Sequence, residues 1–284
     1  MKKGLTAMLS FFLLAVAACS DEETAGNPAE PEPVKTEEVK MVETSSDEPA
    51  EEAEEDIAEE TIGEPLYGMN PNTFSLEPIV DADPQVVLLT IDDAPDKRAL
   101  DMAKTLKGLN APAIFFVNGH FIDTEEKRAV LKEIHDLGFV IGNHTQTHAN
   151  LKKLSEEEQR QEILSVSDTV EEIVGERPKF FRAPFGANTE FSKKIAEEDG
   201  MLVMNWSYGY DFEKEYMTRE KIAHIMVNTE LLRNGSNLLM HDREWTADAL
   251  EEIVLGLREK GYTLVDPLTI KGVEQRGKEE DGGK

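Results

Sequence analysis

The chain has 284 residues, a formal net charge of −28 and a single cysteine. So strong an acidic excess speaks against a nucleic-acid partner, and one thiol excludes an internal disulfide. The length left after the acidic N-terminal third is that of one globular domain.

In chain order, the first element is a targeting segment. Lys2 and Lys3 precede an apolar run from Leu5 to Ala18 that is too short for a comfortable membrane span. The run ends in Val16-Ala17-Ala18-Cys19-Ser20. This is similar to a bacterial lipoprotein signal, which implies removal of residues 1–18 and a lipid on Cys19 that holds the protein to the outer side of the membrane, with the edge of an ordinary signal peptide as the alternative reading of Cys19. Residues 19–84 follow as an acidic tether, with runs such as Glu51-Glu52-Ala53-Glu54-Glu55-Asp56 and few large apolar side chains. Such a stretch buries too little apolar surface to offset its ordering entropy and is expected to be disordered.

From Gln85 to about 272 the texture changes to short apolar runs alternating with amphipathic stretches. Buried strands are predicted at Val86–Ile91, Ala113–Val117, Phe139–Ile141, Lys179–Arg182, Leu202–Asn205, Asn237–Met240 and Tyr262–Val265. Helices are predicted at Lys97–Gly108, Thr124–Leu137, Ser155–Val174, Thr189–Glu198, Met217–Leu232 and Thr246–Lys260, with Ser155 and Glu158 spaced as a capping box. Residues 273–284 read as a polar tail. Strict alternation of strand and helix indicates an α/β domain with a parallel sheet. An irregular (β/α) barrel of about seven parallel strands ranks above an open doubly wound sheet, because polar residues follow so many different strands.

Those residues are Asp92 and Asp93 after the first strand, His144 and His148 after the third, Arg182 at the end of the fourth, Asp211 after the fifth and His241 after the sixth. The C-terminal strand ends of a barrel converge on one face, so all seven would meet. A carboxylate and two imidazoles can hold a divalent ion while leaving a position open for water. The spacing of His144 and His148 places both rings on one side of a helix or tight turn, with Asp93 as the third ligand. If the strand persists through Asp92 and Asp93, their side chains diverge, one toward the metal and one toward the attacking water. Asp-Asp-Ala-Pro is also good turn and helix-entry chemistry, but that does not explain two acids directly after a run as apolar as Val86–Ile91.

Five segments in order carry a family resemblance: Thr90-Ile91-Asp92-Asp93-Ala94-Pro95, His144-Thr145-Gln146-Thr147-His148, Arg182-Ala183-Pro184-Phe185-Gly186, Trp206 to Phe212, and Leu238-Leu239-Met240-His241-Asp242. They resemble the motifs of the polysaccharide deacetylases, the NodB-homology domains of carbohydrate esterase family four. The resemblance implies that Asp93, His144 and His148 bind a divalent metal, usually zinc, with cobalt, manganese or nickel as other possibilities. It implies Asp92 as general base, oriented by Arg182, and His241 as general acid, supported by Asp211. The backbone N–H of Phe185 would assist the oxyanion, Leu239 would line the acetyl pocket, and Phe212 and Trp206 would offer surface to the sugar. Phe185 and Phe212 stand where the family commonly has Tyr and Trp, and Gly209 lies near a position that often carries an acid.

The function so implied is metal-dependent removal of N-acetyl groups from an N-acetylhexosamine polysaccharide, with peptidoglycan favoured by the export signal. An O-acetyl esterase acting on xylan or a cell-wall sugar is the alternative within the same chemistry. A catalytically weak glycan-binding lipoprotein is the alternative outside it.

Overall fold

The computed structural model describes residues 64–79 and 81–273. The targeting segment, Cys19 and most of the expected tether lie outside the described residues, as does the tail after Val273.

The described fold begins at Glu64, well before the expected boundary at Gln85. Strands β1 (Tyr67–Met69) and β2 (Leu76–Pro78) form an antiparallel hairpin. Tyr67 and Leu76 are buried in one apolar cluster with Val86, Leu88, Ile114, Phe116 and Phe180. The hairpin is also sewn to the C-terminal segment: Leu66 N–H donates to Thr269 O at 2.9 Å and Lys271 N–H to Tyr67 O at 2.8 Å. Strands of 3 residues each carry too little alternation to stand out beside an acid-rich tract. At the other end Val273, expected in the polar tail, is buried in the same cluster.

Seven parallel strands make the main sheet: β3 (Val86–Ala94), β4 (Ile114–Val117), β5 (Val140–Asn143), β6 (Phe180–Phe181), β7 (Leu202–Val203), β8 (Ser236–His241) and β9 (Thr263–Leu264). Their order is β7-β6-β5-β4-β3-β8, with β9 also on β3. Between them lie α1 (Ala99–Gly108), α2 (Glu125–Asp136), α3 (Glu156–Val174), α4 (Glu190–Glu198), α5 (Arg219–Asn228) and α6 (Glu244–Glu259). Each expected strand and helix has its counterpart, and the Ser155–Glu158 capping box starts α3.

The sheet curls until its two ends meet. Beyond β7, Tyr208 forms a parallel bridge to Leu238 of β8. Ser207 N–H donates to Asn237 O and Leu239 N–H to Tyr208 O, both at 2.8 Å. Gly209 permits this closure, because a Cβ there would lie 2.5 Å from Leu239 O. The irregular barrel is therefore joined on that side by one bridge rather than by a full strand pair.

Period-two alternation sorts side chains between the two faces of the sheet. On β3, Val87, Leu89 and Ile91 join the cluster packed under the helices, whereas Val86 and Leu88 face the interior. Thr90 and Asp92 continue the interior row upward. Ile114 and Phe116 belong to that row on β4, Val140 and Gly142 on β5, and Phe180 on β6, followed by Arg182. The interior is thus apolar at its base and polar at the C-terminal end of the strands.

Candidate active site

Arg182 is the fully buried hub of that polar end. Its Nη1 donates to Thr90 Oγ1 at 2.8 Å and to Asp92 Oδ1 at 2.6 Å, both on β3. Its Nη2 reaches Asn205 O at 2.8 Å and Asn237 Oδ1 at 3.4 Å. The guanidinium carbon lies 4.3 Å from the centre of the Phe116 ring, a cation–π contact inside the barrel. One side chain therefore ties together β3, the segment after β7, and β8, and fixes Asp92 by a charge-assisted bond. Burial pulls the guanidinium below its ordinary pKa while Asp92 opposes that pull.

The expected divergence of Asp92 and Asp93 does not occur. The register between β3 and β4 shifts between Ile91 and Ala94, and Asp93 has φ 62°, in the left-handed region. This irregularity turns Asp93 back to the side that Asp92 faces. His144 Nε2 consequently lies 3.5 Å from Asp92 Oδ2 and 3.9 Å from Asp93 Oδ1.

His144 follows β5 directly, and its Nδ1 sits 2.7 Å from Arg182 O. That contact assigns the proton to Nδ1 and aims the Nε2 lone pair into the site. Burial pushes the His144 imidazole below its ordinary pKa, against the pull of Asp92 and Asp93. His148 comes to the same place through a turn, not a helix, with Thr145 at φ 69° and His148 at φ 58°. The turn is held by α3: Gln146 N–H donates to Glu162 O at 2.8 Å, and Thr147 donates to the Glu162 carboxylate from its N–H at 2.8 Å and its hydroxyl at 2.6 Å. The His148 imidazole is also lowered, first by burial and then by His144.

One ligand atom from each of Asp93, His144 and His148 can be chosen so that all lie within 4.8 Å of one another. Two imidazoles held neutral and one carboxylate oxygen suit zinc and other first-row divalent ions. These residues fit the ion that the sequence points to.

Across the cleft, Asp211 is fully buried and saturated. Its Oδ1 lies 2.7 Å from His241 Nδ1, while Oδ2 accepts from His241 N–H at 2.6 Å and Thr246 Oγ1 at 2.8 Å. Burial pulls the His241 imidazole down, but the Asp211 hydrogen bond and the charges of Asp211, Asp92 and Asp93 outweigh it, so its pKa stands above the ordinary value. An imidazole whose protonated form Asp211 favours, and whose Nε2 has no hydrogen-bond partner among the described residues, is suited to donate a proton.

Two exposed aromatic rings flank the cleft. Phe185, at φ 59°, sets its ring 4.8 Å from His148, and Phe212 lies 5.9 Å from His241. Trp206 is half-buried, its ring 5.9 Å from the Arg182 guanidinium carbon. Leu239 is buried on β8 between Asn237 and His241. Trp245 is partly buried against the core under the helices, with its Nε1 donating to Asp211 O at 2.8 Å.

The model of the family described as polysaccharide deacetylase matches residues 80–204. The peptidoglycan-N-acetylglucosamine deacetylase of Bacillus cereus is 32% identical over 205 residues, covering 68% of this chain and 70% of that protein. The chain belongs to the polysaccharide deacetylase family. Among its relatives, the peptidoglycan-N-acetylmuramic acid deacetylase PdaC of Bacillus subtilis is 31% identical over 207 residues, 70% of this chain and 42% of PdaC. A solved structure of PdaC superposes with a TM-score of 0.57 at 29% identity, over 65% of this chain and 89% of that one. As a polysaccharide deacetylase the chain is a hydrolase, and its sheet is of the same parallel, curled type.

The site contains residues that the sequence reading passed over. Thr90 and Asn237 both bond Arg182, and each is an inward polar residue within an apolar strand, separated from a site residue by period two. That alternation was the available signal. Asp242, buried beside His241, accepts Lys97 N–H at 2.7 Å and also Arg98 N–H, capping the entrance to α1. Arg243 Nη2 donates to Asp93 Oδ2 at 2.7 Å. No spacing rule in the sequence marks Arg243.

Proposed function

We propose that this polysaccharide deacetylase removes N-acetyl groups from an N-acetylhexosamine polymer, peptidoglycan above all, with a divalent ion held by Asp93, His144 and His148. The observation that carries the proposal is the pair of opposed proton-handling groups. Asp92 is braced by Arg182 on one side of the ligand cluster, and the protonated form of His241 is favoured by Asp211 on the other. When bound, the ion supplies Lewis-acid polarisation of the acetamide carbonyl and of water. Asp92 takes the proton of the attacking water through Oδ2, since Oδ1 is committed to Arg182. His241 delivers a proton to the amide nitrogen as the C–N bond breaks, leaving acetate and a free amine. The backbone N–H of Phe185 assists the carbonyl oxygen, and Leu239 packs the acetyl methyl. The names of the Bacillus relatives support peptidoglycan over other N-acetylated polymers. Anchoring through Cys19 would keep the enzyme at the wall.

The test is acetate release by protein stripped of metal and then given zinc, cobalt, manganese or nothing. The substrates are intact peptidoglycan, N-acetylated chito-oligomers and O-acetylated xylan. Metal-restored release from peptidoglycan is expected. Release from xylan alone would replace the amide substrate by an ester, and no release despite bound metal would overturn the proposal. For the anchor, Cys19→Ala is expected to move the protein from the membrane to the soluble fraction. Unchanged fractionation would remove the lipid from the account.

A further inference from the structure

Asp93 has two carboxylate oxygens with different surroundings. Oδ1 faces the histidines, 3.9 Å from His144 Nε2 and 3.6 Å from His148 Nε2. Oδ2 accepts the Arg243 Nη2 hydrogen bond at 2.7 Å. Arg243 Nη1 lies 3.6 Å from Asp96 Oδ2, so the guanidinium is held between two carboxylates. Its backbone is fixed independently: Arg243 N–H donates to His241 O at 2.8 Å, and the residue occupies the position preceding α6.

We propose that Arg243 is a positioning residue for the metal centre, engaging the outer oxygen of Asp93 so that the carboxylate offers the ion one oxygen, Oδ1. This rests on the reading of Asp93, His144 and His148 as ligands. A carboxylate free to rotate can chelate through both oxygens, which widens the coordination sphere and consumes the position open to water. A guanidinium bonded to one oxygen fixes the rotation about χ2 and leaves the inner oxygen directed at the imidazoles. Two effects of Arg243 on a bound cation therefore oppose one another. Its charge repels the ion, whereas its hydrogen bond orders the ligand. The short contact and the bracing by Asp96 favour the second, since outer-shell partners of metal ligands are commonly worth about 10–100-fold in affinity.

The experiment measures the dissociation constants of zinc and cobalt(II) by competition with a chromophoric chelator, for the wild-type chain, Arg243→Gln and Arg243→Lys, with the cobalt(II) visible spectrum recorded alongside. Arg243→Gln is expected to weaken zinc about 10–100-fold and to alter the cobalt spectrum, with Arg243→Lys in between. Thermal unfolding of the metal-free proteins reports whether the fold is kept. Should Arg243→Gln fail to fold, Arg243→Lys and Asp96→Asn carry the test, each expected to weaken zinc less but in the same direction. Equal or tighter binding by the folded variants would overturn the proposal, because a bystander cation leaves the affinity unchanged or raises it when removed. Absence of metal binding by the wild-type chain would overturn the ligand reading itself.

Discussion

An aspartate and an asparagine have nearly the same shape, and Asp92 is where that similarity separates binding from chemistry. Asp92→Asn can still accept from Arg182, and it leaves Asp93, His144 and His148 in place. Acetate release should fall by about 10²–10⁴-fold with the metal dissociation constant little changed, as steady-state rates and metal titration would show. A variant with the full rate would remove Asp92 as base. At His241 the prediction concerns pH. Its raised pKa depends on Asp211, so in Asp211→Asn burial acts unopposed by that partner and the imidazole pKa falls. The alkaline limb of the pH–rate profile should then move to lower pH, and a limb that stays put would assign it to another group. The raised pKa also contributes stability that is present below the unfolded histidine value of 6.5 and is lost as pH rises through the folded value. Much of this residue-level picture was legible, because Asp92, Asp93, His144, His148, Arg182, Asp211 and His241 each follow a recognisable strand. Arg243 was not, since its role depends on a tertiary contact with a residue 150 positions earlier.

At the scale of elements, the strands were readable where they were long and apolar and obscure where they were short. Val86–Ala94 is buried throughout and stands out in the sequence, whereas β1 and β2 gain their stability from the barrel rather than from their own pattern. The turn at Asp93 was hidden for a related reason. Period two predicts divergence, and only the pairing with β4 imposes the irregularity that overrides it. Gly142 shows how tightly one element supports another. A Cβ there would stand 2.5 Å from the Phe116 ring, and that ring carries the Arg182 guanidinium. Gly142→Ala should displace Phe116, cost about 1–3 kcal/mol of stability, and lower the rate through Arg182 and Asp92 without removing any reacting group. Chemical denaturation paired with kinetics would check both parts. An unaltered rate in a destabilised protein would break the link from Phe116 to the base.

For the whole molecule, acid stability has a contributor far from the cleft. His135 Nε2 lies 3.0 Å from Glu176 Oε1, and Lys179 Nζ lies 2.6 Å from Glu176 Oε2. The His135 hydrogen bond, against burial and with help from Lys179, brings Glu176 down to about 2 from its ordinary 4.5. A depressed carboxyl stabilises the fold above its unfolded pKa and loses that contribution as pH falls through the folded one. Glu176→Gln should therefore lower the urea midpoint near neutrality, with the deficit shrinking between pH 4.5 and about 2. A deficit independent of pH would point to packing instead. The hairpin ahead of β3 matters at this scale in a mechanical sense. Tension along the chain ahead of Glu64 enters the fold through β1, which is clamped on one edge by β2 and on the other by Ile270 and its neighbours. Force along a strand loads its lateral hydrogen bonds together in shear, not one by one as in peeling. Tension entering through β1 would thus be taken at the base of the barrel, beside Val86 and Leu88, at the opposite end of the strands from Asp92 and His241.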